Sequence, residues 1–348
     1  MADLAGRHQR TSAATEAAVL EVLRSGRYVG GPTVEEAQRR LAASFGWGYG
    51  VGVNSGTDAL IYALLALDLP PGSEVIVPAV TFFATAGAVL RAGLVPVVAD
   101  VRADLPLLDA RRLPLRAATR AVIAVHLYGE KCPLRDVGLP VVDDSAQCAG
   151  ADPQPRTGEI AAVSFYPTKT LGAAGDGGMV FTDQAEVAER LRRLSHHGMS
   201  TPYLHDRVGG QVGANSRLDA LQAALLLAQL PDLPLRVQAR RRHAQVYDQE
   251  LPSWVRRLPR SPGHPVHQYV VRVPGRDRLR EKLAEAGIET AIYYPIPLSR
   301  QPALAGLPHA ETPCADAFCA ESLALPVHEG LTGQEIEKIV ATFRSYSP

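Results

Sequence analysis

The sequence predicts an α/β fold: a large domain around a mainly parallel seven-stranded sheet, and a smaller C-terminal α/β domain. Three observations predict it. Short Val/Ile/Ala-rich runs recur from Val51 to Thr182, and helical stretches separate them. The runs are continuously apolar, which is the mark of strands buried on both faces. The segment Leu230-Pro231-Asp232-Leu233-Pro234 then interrupts the pattern, dividing a large domain at 1–232 from a small one at 233–348.

In chain order, Thr11 to Arg24 reads as a helix that Gly26 stops. Thr33 to Glu36 fits a capping box opening a helix that runs to Phe45. The seven strands are Val51–Val53, Glu74–Val77, Val95–Val98, Ala121–His126, Val141–Asp143, Ala161–Phe165 and Gly178–Phe181. Ala59 to Leu67 is helical, as are Gln184 to His197 and Arg217 to Leu230. The small domain reads as a helix (Leu235–Leu251), a strand (Gln268–Val273), a helix (Arg276–Ala286), a strand near Thr290–Tyr293 and a last helix (Glu335–Phe343). The extended run Tyr294-Pro295-Ile296-Pro297-Leu298 returns toward the large domain.

Composition narrows the function classes. The 348 residues are 46% apolar, enough for a sizeable core. Thirty-six basic side chains balance 36 acidic ones, so no net field draws the protein to nucleic acid or an anionic membrane. The run Arg240-Arg241-Arg242 is expected on the solvated face of a helix. Cys132, Cys148, Cys314 and Cys319 have neither metal-ligand spacing nor a disulfide framework. No signal-like apolar stretch opens the chain, and no run of about 18 apolar residues crosses it. A cytoplasmic protein with free thiols and no metal is the expectation.

The most informative residue is Lys169, in Ser164-Phe165-Tyr166-Pro167-Thr168-Lys169-Thr170-Leu171-Gly172, with Gly175-Asp176-Gly177-Gly178 after it. Alone it reads as a solvated loop lysine. At the exit of an apolar strand it also reads as an amine held for Schiff-base chemistry with a carbonyl cofactor, above all pyridoxal phosphate (PLP). Such a site needs four further parts. Asn54-Ser55-Gly56-Thr57-Asp58 joins a strand to a helix N-terminus, which presents free N–H groups and a positive dipole end to a phosphate; it is equally an ordinary cap. Asp143-Asp144-Ser145-Ala146-Gln147 offers a carboxylate at a strand end for a pyridine nitrogen, though two acids there also suit a metal or a cap. Phe82 follows a strand end and can cover a ring; taken alone it is core. Gly213-Ala214-Asn215-Ser216-Arg217 offers an amide and a hydroxyl to close the phosphate site, or merely caps a helix.

In order and spacing these runs resemble the DegT/DnrJ/EryC1/StrS sugar aminotransferases, which are fold-type-I PLP enzymes. The resemblance spans Ser25-Gly26-Arg27-Tyr28 to Leu325-Pro326 and includes Thr81-Phe82 and His126-Leu127-Tyr128-Gly129. It implies that Lys169 forms the Schiff base and that Asp144 pairs with the pyridine nitrogen. It implies further that Gln147 bonds the ring oxygen, Phe82 stacks on the ring, and Gly56, Thr57 and Ser164 hold the phosphate. Asn215 would reach that phosphate from a neighbouring subunit, making the enzyme a homodimer with shared sites.

The implied chemistry is ping-pong transamination. A donor amino acid, L-glutamate, gives its amino group to the cofactor, and a keto-sugar nucleotide takes it. Lys169 moves the protons, so it must be neutral, and burial beside a cationic ring favours that. The run around Lys169, with Tyr203-Leu204-His205, resembles the enzymes that aminate C3 of thymidine-diphosphate (TDP) keto-deoxysugars. Amination at C4, or of a keto-cyclitol, is the alternative. Tyr293-Tyr294 and Leu298-Ser299 stand where the family often has histidines, so Tyr293, Tyr294 and His205 are expected to contact the sugar or its diphosphate. The stretch from Gly129 to Val141 is shorter than usual. The rivals are a dehydratase, which replaces the lysine with histidine, a different fold-type-I enzyme acting on amino acids, and a non-catalytic PLP-fold regulator.

Overall fold

The computed structural model describes residues 3–134 and 136–347. Met1, Ala2, Arg135 and Pro348, which the expected domains include, lie outside the described residues.

Two helices open the chain, α1 (Leu4–Ser25) and α2 (Pro32–Ser44). The Asp3 carboxylate caps α1 by accepting the Gly6 N–H at 2.8 Å, and Gly26 ends the helix at φ 67°, a left-handed conformation cheap only for glycine. The expected capping box at Thr33 is not formed. α2 starts one residue earlier, with Pro32 in its first turn and Gly31 as a cap that makes no side-chain bond. Proline is favoured there because its missing N–H would be unpaired anyway. A capping box does form on the last helix, between Thr332 and Glu335.

The sheet elements follow as β1 (Tyr49–Val53), α3 (Gly56–Ala66), β2 (Glu74–Pro78), α4 (Ala84–Arg91), β3 (Val95–Ala99), β4 (Thr119–Val125), β5 (Val141–Asp144), β6 (Ile160–Ser164), β7 (Gly178–Thr182) and α5 (Ala185–Leu194). All seven expected strands are present, in the order β1-β7-β6-β5-β4-β2-β3. β7 runs antiparallel to both its neighbours, and the other pairs are parallel. The carboxyl ends of β1, β2, β4, β5 and β6 therefore share one edge, where open α/β sheets bind ligands.

Two short antiparallel ribbons come next, β8 (Met199–Thr201) with β9 (Leu204–His205), and β10 (Arg207–Val208) with β11 (Gln211–Val212). Strands of two or three residues are too short to show a period, which is why the sequence did not announce them. After α6 (Ala220–Gln229) and α7 (Leu233–Glu250) come β12 (Arg256–Arg257), β13 (Tyr269–Arg272), α8 (Arg276–Glu285), α9 (Pro313–Glu321), β14 (Ser322–Leu325) and α10 (Gly333–Arg344). β12, β13 and β14 form an antiparallel sheet. The strand expected near Thr290–Tyr293 is a correction: only a single bridge, Ala291 to Ala324, forms there. Pro295 and Pro297 follow and cannot donate to a ladder.

One core lies under the sheet's α3 and α4 face, and a second gathers α2, α6 and the far face around Phe45, Phe165 and Phe181. The third is drawn from Ala244 to Phe343. α7 spans the last two, with Leu233 and Val237 in one and Ala244 and Tyr247 in the other. We propose the division at 232/233 as the start of the helix that joins the two domains. The expected solvated face of α7 needs correcting too. Arg242 is exposed, but Arg240 is buried, with Glu329 at 3.0 Å. A buried carboxylate supplies the partner that such a burial requires.

Candidate active site

The phosphate cradle is built where β1 hands over to α3. Ser55 caps α3 by accepting the Asp58 N–H at 3.1 Å. The first N–H groups of a helix lack partners within it, so those of Gly56 and Thr57 stay open at its positive end. A Cβ on Gly56 would lie 2.5 Å from the Ser164 Cβ. Only glycine lets the end of β6 come this close and set Ser164 beside the start of α3. The Ser216 hydroxyl ties this corner to α6's lead-in, donating to Asp58 at 2.6 Å and accepting the Asn54 N–H at 3.0 Å. Asn54 also donates to the Asn215 carbonyl at 3.2 Å. Within its own chain Asn215 thus sits at the cradle's rim, its side-chain oxygen held by Arg217 at 3.0 Å.

The carboxylate comes from the end of β5. Asp144 is 7% exposed. One oxygen accepts from Thr85 at 3.1 Å and the other from the Ala146 N–H at 3.2 Å. Thr85 is itself bonded to Thr81 at 2.9 Å. Burial raises the Asp144 pKa, while the Ala146 N–H, Lys169 and Thr85 pull the other way. A carboxylate so placed gains most from a cation brought against it.

Gln147 is oriented by the Tyr128 N–H, which donates to its side-chain oxygen. Its amide NH₂ group is thereby turned toward Tyr294. Burial, then Asp144 and Tyr293, raise the Tyr294 pKa and keep this phenol neutral. Phe82, 60% exposed, has its ring 6.2 Å from that of Tyr294. It is not core, and its face is free to cover a ring. Asp144, Gln147, Tyr294 and Phe82 therefore surround one space. Tyr293 stands one step outward, its ring edge-on to Tyr294 at 6.0 Å and its hydroxyl near Gln268.

Lys169 lies on the loop after β6, half-buried. Burial lowers its pKa, against Asp144 and Cys148, which favour its charge. The neighbouring His267 is buried and held neutral, first by burial and then by the charge of Lys169. Its ring lies 3.4 Å from the Thr170 hydroxyl. The strand exits thus bring together an amine biased toward neutrality, a buried carboxylate, an open ring face and a glycine-opened helix N-terminus. These parts suit PLP: the free N–H groups at the start of α3 match its phosphate, and Asp144 its ring nitrogen.

The model of the DegT/DnrJ/EryC1/StrS aminotransferase family matches residues 9–344. The chain belongs to this family. It is an enzyme of the sugar-aminotransferase class. It is 38% identical, over 99% of its length and 95% of the relative's, to dTDP-3-amino-3,4,6-trideoxy-alpha-D-glucose transaminase of Streptomyces venezuelae. It is 39% identical to UDP-N-acetyl-3-dehydro-alpha-D-glucosamine 3-aminotransferase of Acidithiobacillus ferrooxidans, covering 88% of this chain and 86% of that one. It is 37% identical to a pleiotropic regulatory protein of Geobacillus stearothermophilus over 100% of this chain and 99% of that one. Among solved structures it resembles S. venezuelae DesV in complex with a ketimine intermediate, with a TM-score of 0.93, 37% identity, and 98% and 96% of the two chains covered. Similar structures include PLP and PMP forms, and with the family they imply pyridoxal phosphate as the cofactor.

His205 is not gathered with the rest within this chain. It lies exposed on β9, 3.1 Å from the His197 carbonyl, with its ring edge-on to that of His197. Sequence reasoning passed over Thr85, which lies in the first turn of α4 and bonds both Thr81 and Asp144. It also passed over the buried pair of His126 and Asp143, 3.2 Å apart behind Asp144. No helix among the described residues is long and apolar enough to cross a membrane, and none of their His, Cys, Asp or Glu side chains form a metal-binding group.

Proposed function

We propose that this aminotransferase moves an amino group from L-glutamate to C3 of a TDP-3-keto-6-deoxyhexose, in the cytoplasm, using PLP carried by Lys169. The observation that carries the placement is the convergence of Lys169 and Asp144, each shifted by burial and each favouring the other's charge. When bound, the cofactor supplies an electron-accepting ring. Asp144 keeps the ring nitrogen protonated and Gln147 bonds the ring oxygen. Phe82 covers one face and excludes water. Gly56, Thr57 and Ser164 hold the phosphate, and Asn215 of a second copy completes the site in a homodimer. The Lys169 Nζ, biased toward neutrality by burial, would take the donor's α-proton and return it to the carbon on the far side of the donor nitrogen, a 1,3-shift. Tyr293 and Tyr294 face the sugar or its diphosphate, and His205, apart from them within its own chain, would meet it from a second copy.

C3 is preferred to C4 or a cyclitol because two of the similar transaminases are named for C3 amino sugars. One carries UDP and the other TDP, so the nucleotide rests on the run around Lys169. The test is to incubate the pyridoxamine-loaded enzyme with 3-keto and 4-keto deoxysugar nucleotides of both kinds. Product mass and regiochemistry decide. A product aminated at C4, or none from any 3-keto substrate, overturns the proposal.

A further inference from the structure

Against the backbone of the Lys169 loop lies a buried ionic cluster that the chemistry described so far does not use. Glu329 follows β14 and is flanked by two arginines, Arg7 of α1 at 2.9 Å and Arg240 of α7 at 3.0 Å. All three side chains are nearly inaccessible, at 6%, 7% and 3% for Arg7, Glu329 and Arg240. Burying three ionised groups is costly. For stability alone, apolar side chains of similar volume serve as well.

The remaining bonds of the cluster show what the arrangement holds. One Arg7 nitrogen, Nη1, donates to the Lys169 carbonyl at 2.9 Å and to the Pro167 carbonyl at 3.2 Å. Arg240 donates to the His267 and Val266 carbonyls at 3.2 and 3.4 Å, and His267 lies against the same loop through Thr170. Arg7 thus uses its Nε on Glu329 and its Nη1 on the backbone of Lys169. A guanidinium is a rigid planar fork, so fixing one arm fixes the other. Lysine, a point charge on a flexible stem, cannot transmit direction in this way.

We infer that Arg7 is a positioning residue for Lys169, holding the lysine's backbone in register with the cofactor pocket while Glu329 and Arg240 fix the guanidinium's plane. Arg7 has this role only if Lys169 is the cofactor-bearing lysine, as proposed above. α1, the first helix of the chain, is then part of the active-site support.

The experiment compares PLP-loaded Arg7→Gln, Arg7→Lys and Glu329→Gln with wild type, with Arg10→Gln as a control for a lost charge on the same helix. Arg10 is half-exposed and makes only a looser pair with Asp3 at 3.5 Å. Two quantities are read: the rate at which bound cofactor's visible absorbance decays on transfer to cofactor-free buffer, and kcat against KM. All three test variants should release cofactor about tenfold faster and lose about tenfold in kcat, the scale of one charge-assisted bond, with sugar KM nearly unchanged. Arg10→Gln should match wild type.

Arg7→Lys at the wild-type rate would show that charge suffices, and would overturn the inference. So would opposite shifts in Arg7→Gln and Glu329→Gln, the signature of a long-range field, or a lower Tm with release and kcat unmoved, the signature of a purely structural tie. Should Arg7→Gln not fold, Arg7→Lys and Glu329→Gln carry the same comparison. Lys169→Ala is run alongside: if it keeps the absorbance band of the lysine-linked cofactor, the assignment of Lys169 fails, and the failure is separate from that of Arg7 as a positioning residue.

Discussion

Asp144 is 7% exposed and bonded from Thr85 and the Ala146 backbone, whereas Tyr203, beside the β9 ribbon that carries His205, is 93% exposed. The two regions are meant to serve one reaction, yet they are built on opposite lines. At the cofactor end Gly56, Asp144 and Ser164 sit at a strand exit or helix start, and elements far apart in sequence surround them. At the outer end the ribbons of 199–212 are two or three residues wide and mostly exposed. Chemistry common to a family needs one fixed geometry, and a buried sheet edge provides it. Recognition of a particular sugar varies, and loops tolerate variation.

The sharpest way to break this contrast is Lys169→Ala. If the cofactor end is the rigid chemical half, the variant should lose the absorbance band of the lysine-linked cofactor and show that of free PLP. Turnover should fall by about 10³-fold or more, within the range for a positioned acid–base group. PLP should still be retained through the phosphate cradle, as mass spectrometry of the native protein would show. Near-normal turnover would dissolve the distinction altogether.

A second test asks whether the supports of the cofactor end are electrostatic. Burial alone would raise the Glu329 pKa, but Arg240 and Arg7 more than reverse this and hold it at about 2 against an ordinary 4.5. A value depressed in the folded state gives stability that is present above the unfolded value and lost as pH falls toward the folded one. The difference, 4.5 − 2, corresponds to about 3 kcal/mol at neutral pH. Thermal unfolding from pH 6 to pH 3 should therefore show a loss below about pH 4.5 in the wild type and a flatter profile in Glu329→Gln. Parallel profiles would count against the ion cluster.

A third test addresses the outer half directly. Chains carrying Lys169→Ala and Asn215→Ala, each poorly active alone, should regain one intact site per mixed dimer. Asn215→Ala by itself is expected to cost about tenfold, the scale of one bond to a charged phosphate. No recovery on mixing, with subunit exchange shown independently, would place the Asn215 contact within its own chain, beside Asn54.

These two halves were not equally legible in the sequence. The sheet could be read because its strands are continuous apolar runs between helices, a signal that tertiary context reinforces. Gly56, Asp144 and Lys169 could be read because strand ends concentrate chemistry. Arg7 could not. It lies in the polar first turns of α1, where an arginine reads as solvated, and Glu329, the partner that makes its burial tolerable, is 322 residues away. Arg240 was misjudged for the same reason, since three successive arginines read as solvated until the carboxylate is seen. The ribbons at 199–212 escaped because their pairing is local, short and exposed.

The smallest effect concerns the border between the halves, at Tyr293. Its carbonyl accepts a bond from the Tyr128 hydroxyl, its ring lies edge-on to Tyr294, and its own hydroxyl meets Gln268. Tyr293→Phe keeps the carbonyl and the ring, so Tyr294, Gln147 and Asp144 should stay in place. The variant removes one neutral hydroxyl, worth about 1 kcal/mol or roughly fivefold in rate. If Tyr293 belongs to the sugar-facing half, single-turnover kinetics should show the sugar half-reaction slowed by that factor and the glutamate half-reaction almost unchanged. If both slow equally, the hydroxyl supports the cofactor pocket through Gln268, and the border between chemistry and recognition moves outward, past Tyr293.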